Sequence, residues 1–301
     1  MIILLGSTGY VGRVIADRLT TAQIPHVTPS RGQLDYYDPS QVSDLLRRSG
    51  ATFLINAAGY TGKPNVDACE VHRTDCLNGN AVLPGVLADA CQDAGIRWGH
   101  VSSGCIYTGR RPDGGGFRES DPPNFCFRTN NCSWYSGCKA LGEEILADRS
   151  DVYVWRLRIP FDHRDGGRNY LSKLQRYDTL LEAENSVSHL GDFANAVIRC
   201  IDGSIPTGIY NLTNPGSVRT SEVVEIIKRH LPFDRDVRYF ADEDEFMQVA
   251  AATPRSNCVL DTTKAAGAGL AMRPVTEAIV DALENWRSED RKSQSRSAAA
   301  R

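Results

Sequence analysis

The sequence lacks almost everything that would take it out of reducing, aqueous surroundings. No apolar run approaches the ~18 residues that cross a bilayer, and Ile2–Leu5 is far too short for a signal-peptide core. An excess of one charge is missing too: 34 Lys and Arg face 37 Asp and Glu, a net charge of −3. So even a balance leaves no electrostatic footprint for nucleic acid or an anionic membrane. The nine cysteines form no Cys-x-x-Cys spacing. That pattern argues against a zinc site or a disulfide scaffold and predicts reduced thiols in a cytoplasmic protein without metal. No internal repeat divides the chain. Its 41% apolar and 24% charged residues are those of an ordinary globular protein, long enough for one large α/β domain and a smaller lobe.

What is present begins at the first residues. Ile2–Leu5 has the pattern of a buried strand and runs into Gly6-Ser7-Thr8-Gly9-Tyr10-Val11-Gly12, followed by an amphipathic helix to about Thr21. Strand, glycine turn and helix in this order form a dinucleotide cradle, with the pyrophosphate on the helix N-terminus. A second strand is expected at Pro25–Thr28. It does not end in the acid that binds a ribose 2′-hydroxyl; Ser30 and Arg31 stand there instead. A hydroxyl beside a guanidinium suits a 2′-phosphate, which favours NADPH with NADH as the alternative. The competing reading makes Arg31 a solvated loop residue. Asp35 is placed at the adenine edge, and Asp38 before Pro39 predicts the N-cap of a helix ending at Ser49.

Thr52–Asn56 is the next expected strand, closed by Asn56-Ala57-Ala58-Gly59, small residues against which a dinucleotide can lie flat. A long helical stretch is expected from about 65 to 95, with Asn80 near its middle. Arg97–Ser102 then delivers Ser103 and Cys105 to the carboxyl edge of the sheet, where doubly wound folds place their sites. The Gly-, Pro- and Asn-rich stretch 107–132 has the composition of a covering loop. Cys132–Ala147 is expected to be helical, with Tyr135 and Lys139 at i and i+4 on one face. The Lys139 charge is expected to lower the Tyr135 pKa, making the phenol a proton donor to a carbonyl that receives hydride. Val152–Arg158 is strand-like, interrupted at Pro160 and Phe161, where a nicotinamide would stack. Further on, Asn169–Tyr177 and Thr220–His230 are expected helices and Asn211–Gly216 a turn. The resulting division is a dinucleotide-binding domain over 1–160, a substrate lobe over 161–287 with segments returning to the first domain, and a disordered tail over 288–301.

Gly6-x-x-Gly9-x-x-Gly12, Asn56-Ala57-Ala58-Gly59 and Tyr135-x3-Lys139 together resemble the extended short-chain dehydrogenase/reductases. Within them, residues 56–70, Gly104-Cys105-Ile106-Tyr107, 116–125, 168–173, 211–216 and 252–257 are similar to the nucleotide-rhamnose synthases, bifunctional 3,5-epimerase/4-reductases, and more distantly to the 4-dehydrorhamnose reductases. The likeness runs from residue 1 to about 285. It implies a doubly wound parallel sheet of Rossmann type with a smaller C-terminal lobe, a homodimer, and a UDP- or dTDP-linked 4-keto-6-deoxyhexose as substrate. It assigns epimerisation to Cys105 and Lys173, and carbonyl polarisation to Ser103. Lys139 is assigned to the nicotinamide ribose. Thr61, Asn80, Gly104, Asn124 and Asn169 become sugar-nucleotide contacts. Arg255 is either a pyrophosphate ligand or half of a structural salt bridge.

The chemistry is coherent without the likeness. A C4 ketone acidifies the protons on C3 and C5, and inverting each centre needs a base on one face and an acid on the other, roles a thiol and an amine can fill. Three readings remain open: a bifunctional epimerase/reductase, a 4-ketoreductase alone, and a non-catalytic nucleotide-binding subunit. Two departures from the family stand out. Nine residues, Cys126 to Trp134, separate Phe125 from Tyr135 where the family has a shorter link, and Gly137 sits inside the Tyr/Lys helix, where glycine costs about 1 kcal/mol.

Overall fold

The apolar N-terminal run forms β1 (Ile2–Leu5), and in the computed structural model, which describes residues 1–288, all four of its residues are buried. α1 (Tyr10–Thr21), β2 (His26–Val27), α2 (Pro39–Ser49) and β3 (Phe53–Asn56) follow. Asp38 caps α2 by accepting from the Ser40 and Gln41 amides, and Gly50 closes it in the left-handed conformation at φ 61°. β4 (Arg97–Ser103), α6 (Trp134–Ile145) and β5 (Val152–Leu157) complete this half, with Ser133 capping α6.

The stretch 65–95 is not one helix. It divides into α3 (Ala68–Val71), α4 (Arg73–Leu77), a π-helical turn (Asn78–Val82) and α5 (Leu83–Ala94). His72 leaves the helical region at φ −96°, ψ 56° and ends α3. The π turn has a local cause: the Asn80 side-chain amide donates to the Cys76 carbonyl at 3.0 Å, taking the acceptor that an α-helix would reserve for the Asn80 backbone N–H.

The C-terminal half contributes β6 (Pro160–Phe161), α7 (Tyr170–Arg176), β7 (Thr179–Leu180), β8 (Glu184–Asn185), β9 (Ser188–His189), α8 (Leu190–Arg199) and β10 (Gly208–Asn211). Then come β11 (Val218–Arg219), α9 (Thr220–His230), β12 (Arg238–Tyr239), α10 (Glu243–Val249), α11 (Thr263–Gly267) and α12 (Val275–Glu284). α8, α10, α11 and α12 carry no expectation from the sequence. Pro160–Phe161 pairs in parallel with Ser188–His189 instead of merely interrupting a strand. The expected turn at 211–216 begins inside β10, whose last residue is Asn211. The expectation of a disordered tail falls, from residue 289 onward, outside the described residues.

Six strands form one sheet in the order β10-β5-β4-β3-β1-β2, every neighbour parallel. The fold is therefore α/β with a Rossmann-like parallel sheet. Period-two alternation divides β1 between two cores: Ile2 and Leu4 join Ile15, Phe53, Trp155 and Phe193, while Ile3 and Leu5 join Leu54, Leu87 and Trp98. A third core of Phe161, Leu171, Val223, Ile227 and Ile279 lies in the C-terminal segments. Among the described residues, no helix is long and apolar enough to cross a membrane, and no His/Cys/Asp/Glu cluster could hold a metal.

Asp192 ties α8 to the distant Arg273, accepting from its guanidinium at 2.9 and 3.0 Å and from Asn214 at 2.9 Å. Burial alone would raise its pKa, but hydrogen bonds from His189 and Arg273 outweigh it and bring the carboxyl down to about 2. A depressed carboxylate contributes stability that is present above its ordinary value of 3.8 and is lost as pH falls towards about 2. Asp192→Asn is therefore expected to lower the melting temperature at neutral pH and to flatten its decline across that acid window. Melting curves through the window check this; an equal acid decline in both proteins would refute it.

Candidate active site

At the carboxyl end of β1 the chain turns at Gly6 with φ +77°, and a Cβ there would lie 2.5 Å from the Ala58 nitrogen. A Cβ on Gly12 would come within 3.0 Å of the Gly6 carbonyl. Neither position admits a side chain, so the turn lies tight against residues 57–58. α1 starts at Gly9 with no acidic residue in its first turn and no side chain on its free amides. Such an end suits a pyrophosphate. Thr8 and Gly9 are exposed at its rim, and Val11 is half-buried. The Tyr10 phenol donates to Asp162 at 3.1 Å, joining the turn to the segment after half-buried Pro160, and Arg164 pairs with Asp17 of α1 at 3.0 Å.

Several residues expected to touch the dinucleotide are engaged with the protein instead. Asn56 is fully buried; it donates to His100 at 3.0 Å and accepts from the Ala58 amide at 3.0 Å. Its side chain shapes the Ala57–Gly59 loop and does not face a ligand. The Ser30 hydroxyl donates to Gln33 at 2.9 Å, and Asp35 accepts from the Tyr37 amide at 2.9 Å. Arg31 is exposed over the Tyr36 ring, its guanidinium 5.9 Å from the centroid, and free to swing to a phosphate. Tyr36 itself, which the sequence reading missed, sits against Gly6 and donates to the Pro29 carbonyl at 2.5 Å.

Beyond the turn, β4 ends in Ser103, whose hydroxyl accepts from the Cys105 amide at 3.2 Å. Cys105 packs with Ile106, Tyr107 and Leu260 in a cluster against which the Tyr135 ring lies. Ser103 is also close enough to the Tyr135 phenol and the Cys105 thiol to oppose the rise of both, so a single hydroxyl neighbours both reactive groups. Burial raises the Cys105 thiol; hydrogen bonds to Ser103 and Ser136 and the charges of Arg158 and Lys139 oppose it. Burial pushes the Tyr135 phenol well above its ordinary value of 10.0, helped by the Cys105, Cys69 and Cys76 thiols. This corrects the expectation that Lys139 lowers that phenol: desolvation dominates, and the Lys139 ammonium donates to the Val101 carbonyl at 3.2 Å. Lys139 is itself lowered by burial, with Cys105 and Glu143 opposing. A Cβ on Gly59 would press on Asn80 Oδ1 at 3.1 Å and would be in ordinary contact with Lys139 Nζ at 3.8 Å, so the lysine ends beside this loop.

Glu143, four residues after Lys139, forms the anchor beneath. Its carboxylate accepts from Arg156 at 2.6 and 3.0 Å and from Ser102 at 2.5 Å, with both charged side chains almost fully buried. Arg156 also donates to the Tyr107 hydroxyl at 3.0 Å, which in turn donates to the Asp121 carbonyl at 2.7 Å. Helix, strand and covering loop thus meet at one ion pair. Nothing local marks the pair, since Glu143 and Arg156 each look like surface charges in the sequence.

The expected sugar contacts divide. Lys173 is half-buried and lowered first by burial, then by the neighbouring Arg168 and Arg255 charges. Thr61 is exposed and accepts from Arg168 at 2.9 Å. Gly104 lies under Leu260, where a Cβ would collide. Asn80, Asn124 and Asn169 do not present their amides to a substrate. Asn80 donates to the Tyr60 carbonyl at 2.7 Å as well as to Cys76, Asn124 exchanges two 2.9 Å bonds with the Thr108 backbone, and Asn169 donates to the Asp162 and Arg164 carbonyls while capping α7. Each satisfies buried backbone groups, as loop asparagines often do. Arg255 resolves as the structural alternative, paired in two bonds with Asp67 at 2.7 and 2.8 Å.

A family model described as RmlD substrate binding domain matches residues 1–288. The chain is 33% identical over 267 residues to the bifunctional dTDP-4-dehydrorhamnose 3,5-epimerase/dTDP-4-dehydrorhamnose reductase of Arabidopsis thaliana, covering 87% of this chain and 85% of that protein. It is 31% identical to a trifunctional UDP-glucose 4,6-dehydratase/UDP-4-keto-6-deoxy-D-glucose 3,5-epimerase/UDP-4-keto-L-rhamnose-reductase of the same plant, again over 87% of this chain but only 38% of that longer protein. Among solved structures, the UDP-rhamnose synthase from Acanthamoeba polyphaga mimivirus superposes with a TM-score of 0.86 at 22% identity, over 94% of this chain and 98% of that one.

Arg156→Met is expected to lower unfolding free energy by about 3–5 kcal/mol, because it strands the Glu143 carboxylate in a buried site. The double replacement Glu143→Leu/Arg156→Met should be milder, and urea unfolding of the single and double variants measures both. A single variant within about 1 kcal/mol of the parent would show that the pair is not a structural anchor.

Proposed function

The chain belongs to the RmlD substrate binding domain family of NAD(P)-dependent nucleotide-4-keto-6-deoxysugar reductases, and from that premise we propose that it both epimerises its sugar at C3 and C5 and reduces it at C4, giving an NDP-L-rhamnose. The observation that carries the reading is Cys105 packed beside Tyr135, with the Ser103 hydroxyl accepting from the Cys105 amide and neighbouring both side chains. A reductase alone needs the phenol and the hydroxyl; the thiol on the same substrate face is the added part. The overlap with most of a bifunctional relative supports the same conclusion.

Direction of proton flow follows from burial. Cys105 is raised and holds its proton, whereas Lys173 is lowered and more readily gives an uncharged amine. Lys173 then takes the proton from C3 or C5 while the C4 oxygen carries the enolate charge, and Cys105 returns a proton to the opposite face. Solvent exchange restores both groups for the second centre. Ser103 donates to the C4 oxygen and Tyr135 delivers the proton that completes the alcohol, for which a phenol kept protonated is the right form. Bound NADPH supplies the hydride. The Gly6–Gly12 turn and the free α1 amides fit its pyrophosphate, exposed Arg31 its 2′-phosphate, and Lys139 its nicotinamide ribose. We assign residues 1–160 to the dinucleotide and 161–287 mainly to the sugar nucleotide, in a cytoplasmic homodimer whose contact would cover the exposed Val82 and Ile145.

A reductase without epimerase activity is the second reading, favoured by the burial of the Cys105 thiol, which is 6% exposed. Incubation with UDP- and dTDP-4-keto-6-deoxyglucose in deuterium oxide separates the two. Deuterium at C3 and C5 with an L-rhamno product is expected; reduction without ring deuterium would reject the epimerase. Cys105→Ala is expected to suppress deuterium entry by about a hundredfold or more while a pre-epimerised ketone is still reduced. Tyr135→Phe should abolish NADPH oxidation in both cases, and retained turnover would remove Tyr135 from the acid role.

A further inference from the structure

The segment Cys126–Ser133 and the glycine at 137 are explained by each other. Phe127–Thr129 forms a short 3-10 turn closed by Asn130 in the left-handed conformation at φ 53°. It is held by the Cys126 amide donating to the Thr129 hydroxyl at 3.1 Å and by Asn131 donating to the Asn124 carbonyl at 3.1 Å. The turn lays the Phe127 ring directly on Gly137: a Cβ there would lie under 3.0 Å from three ring atoms, closer than real Cβ contacts allow. Two turns further along the helix, Arg128 grips Glu144 in two bonds at 2.7 and 3.0 Å. Gly137, Ala140, Leu141 and Glu144, spaced i, i+3, i+4 and i+7, therefore make one stripe of α6 facing the segment.

That stripe is not the one used by the reactive groups. Tyr135 and Lys139 face Cys105 and the Val101 carbonyl, and Glu143 beneath them faces Arg156. The segment also reaches the helix start: Phe127 meets the Trp134 ring at 5.0 Å, the Trp134 amide donates to Glu70 at 2.7 Å, and its indole donates to the Arg73 carbonyl at 3.0 Å under the Arg73 guanidinium. The exposed Arg128–Glu144 pair adds little holding power. The aromatic contact, in a notch that only glycine provides, is the fastening element.

We propose that this segment is a clasp and that Phe127 is a positioning residue, seated in the Gly137 notch to fix the first turns of α6 and with them the Tyr135 phenol over Ser103. The kinetic part rests on the 4-ketoreductase reading given above; the mechanical part does not.

The test compares Phe127→Ala, Gly137→Ala and the double variant by melting temperature, by amide exchange over residues 134–139, and by steady-state reduction of UDP- and dTDP-linked 4-keto-6-deoxyhexose. Alanine normally stabilises a helix interior relative to glycine. Gly137→Ala is therefore expected to lower the melting temperature of the parent and to raise it in the Phe127→Ala background. Phe127→Ala is expected to speed exchange over 134–139 about tenfold. It should lower kcat about ten- to a hundredfold, with KM for NADPH within about twofold of the parent. A Gly137→Ala effect of the same sign in both backgrounds overturns the clasp, and so does unchanged exchange in Phe127→Ala. Faster exchange with unchanged kcat overturns the positioning role. A parent protein that reduces neither sugar rejects the reductase reading instead, and the exchange and melting results then decide the clasp alone.

Discussion

The buried pair of Glu143 and Arg156 is the constraint on which the site depends. Neither charge reaches water, and each is fully supplied with partners: Ser102 completes the carboxylate and the Tyr107 hydroxyl the guanidinium. Two ions in so dry a place are tolerable only in close, multiply bonded geometry. That requirement fixes α6 against β4 and β5 in one register. Since Lys139 and Tyr135 precede Glu143 by four and eight residues on the same helix, fixing one end of that face fixes the others. Tyr107 extends the same geometry into the covering loop.

Burial then sets the protonation of the site through a single physical effect applied with two signs. Removing water disfavours charge, so acids rise and bases fall. Tyr135 and Cys105 are raised; Lys139, Lys173 and His100 are lowered. The result is a site in which burial moves each of these groups towards its neutral form. Cys69, Cys76 and Cys138 pack behind the Tyr135 ring, and the electrostatic influence of Cys69 and Cys76 adds to the rise of its phenol.

Much of the fold was legible because its signals are local. The glycine turn, the Asp38 cap, the apolar β1 and β3 and the i, i+4 pair on α6 each carry their cause within a few residues. What failed was non-local. Asn80, Asn124 and Asn169 look like ligands in a motif, yet whether an amide meets substrate or a neighbouring carbonyl is decided by chain that arrives from elsewhere. Arg255 found Asp67 across most of the sequence. The two-residue strands of the C-terminal half have no periodicity to read and exist only through their partners. The helix expected over 65–95 broke at His72 and widened to a π turn where the Asn80 side chain took a backbone acceptor, neither of which hydrophobic pattern records.

The contact between Phe127 and Gly137 has an evolutionary consequence. Substitutions at these two positions are not independent, because the effect of gaining a side chain at 137 changes sign with the occupant of 127. A lineage leaving this arrangement must lose the ring before it gains the methyl group, since the reverse order passes through a collision at the catalytic helix. A lineage entering it must first accept a glycine that weakens the helix. The collision thus constrains the order of substitution in both directions.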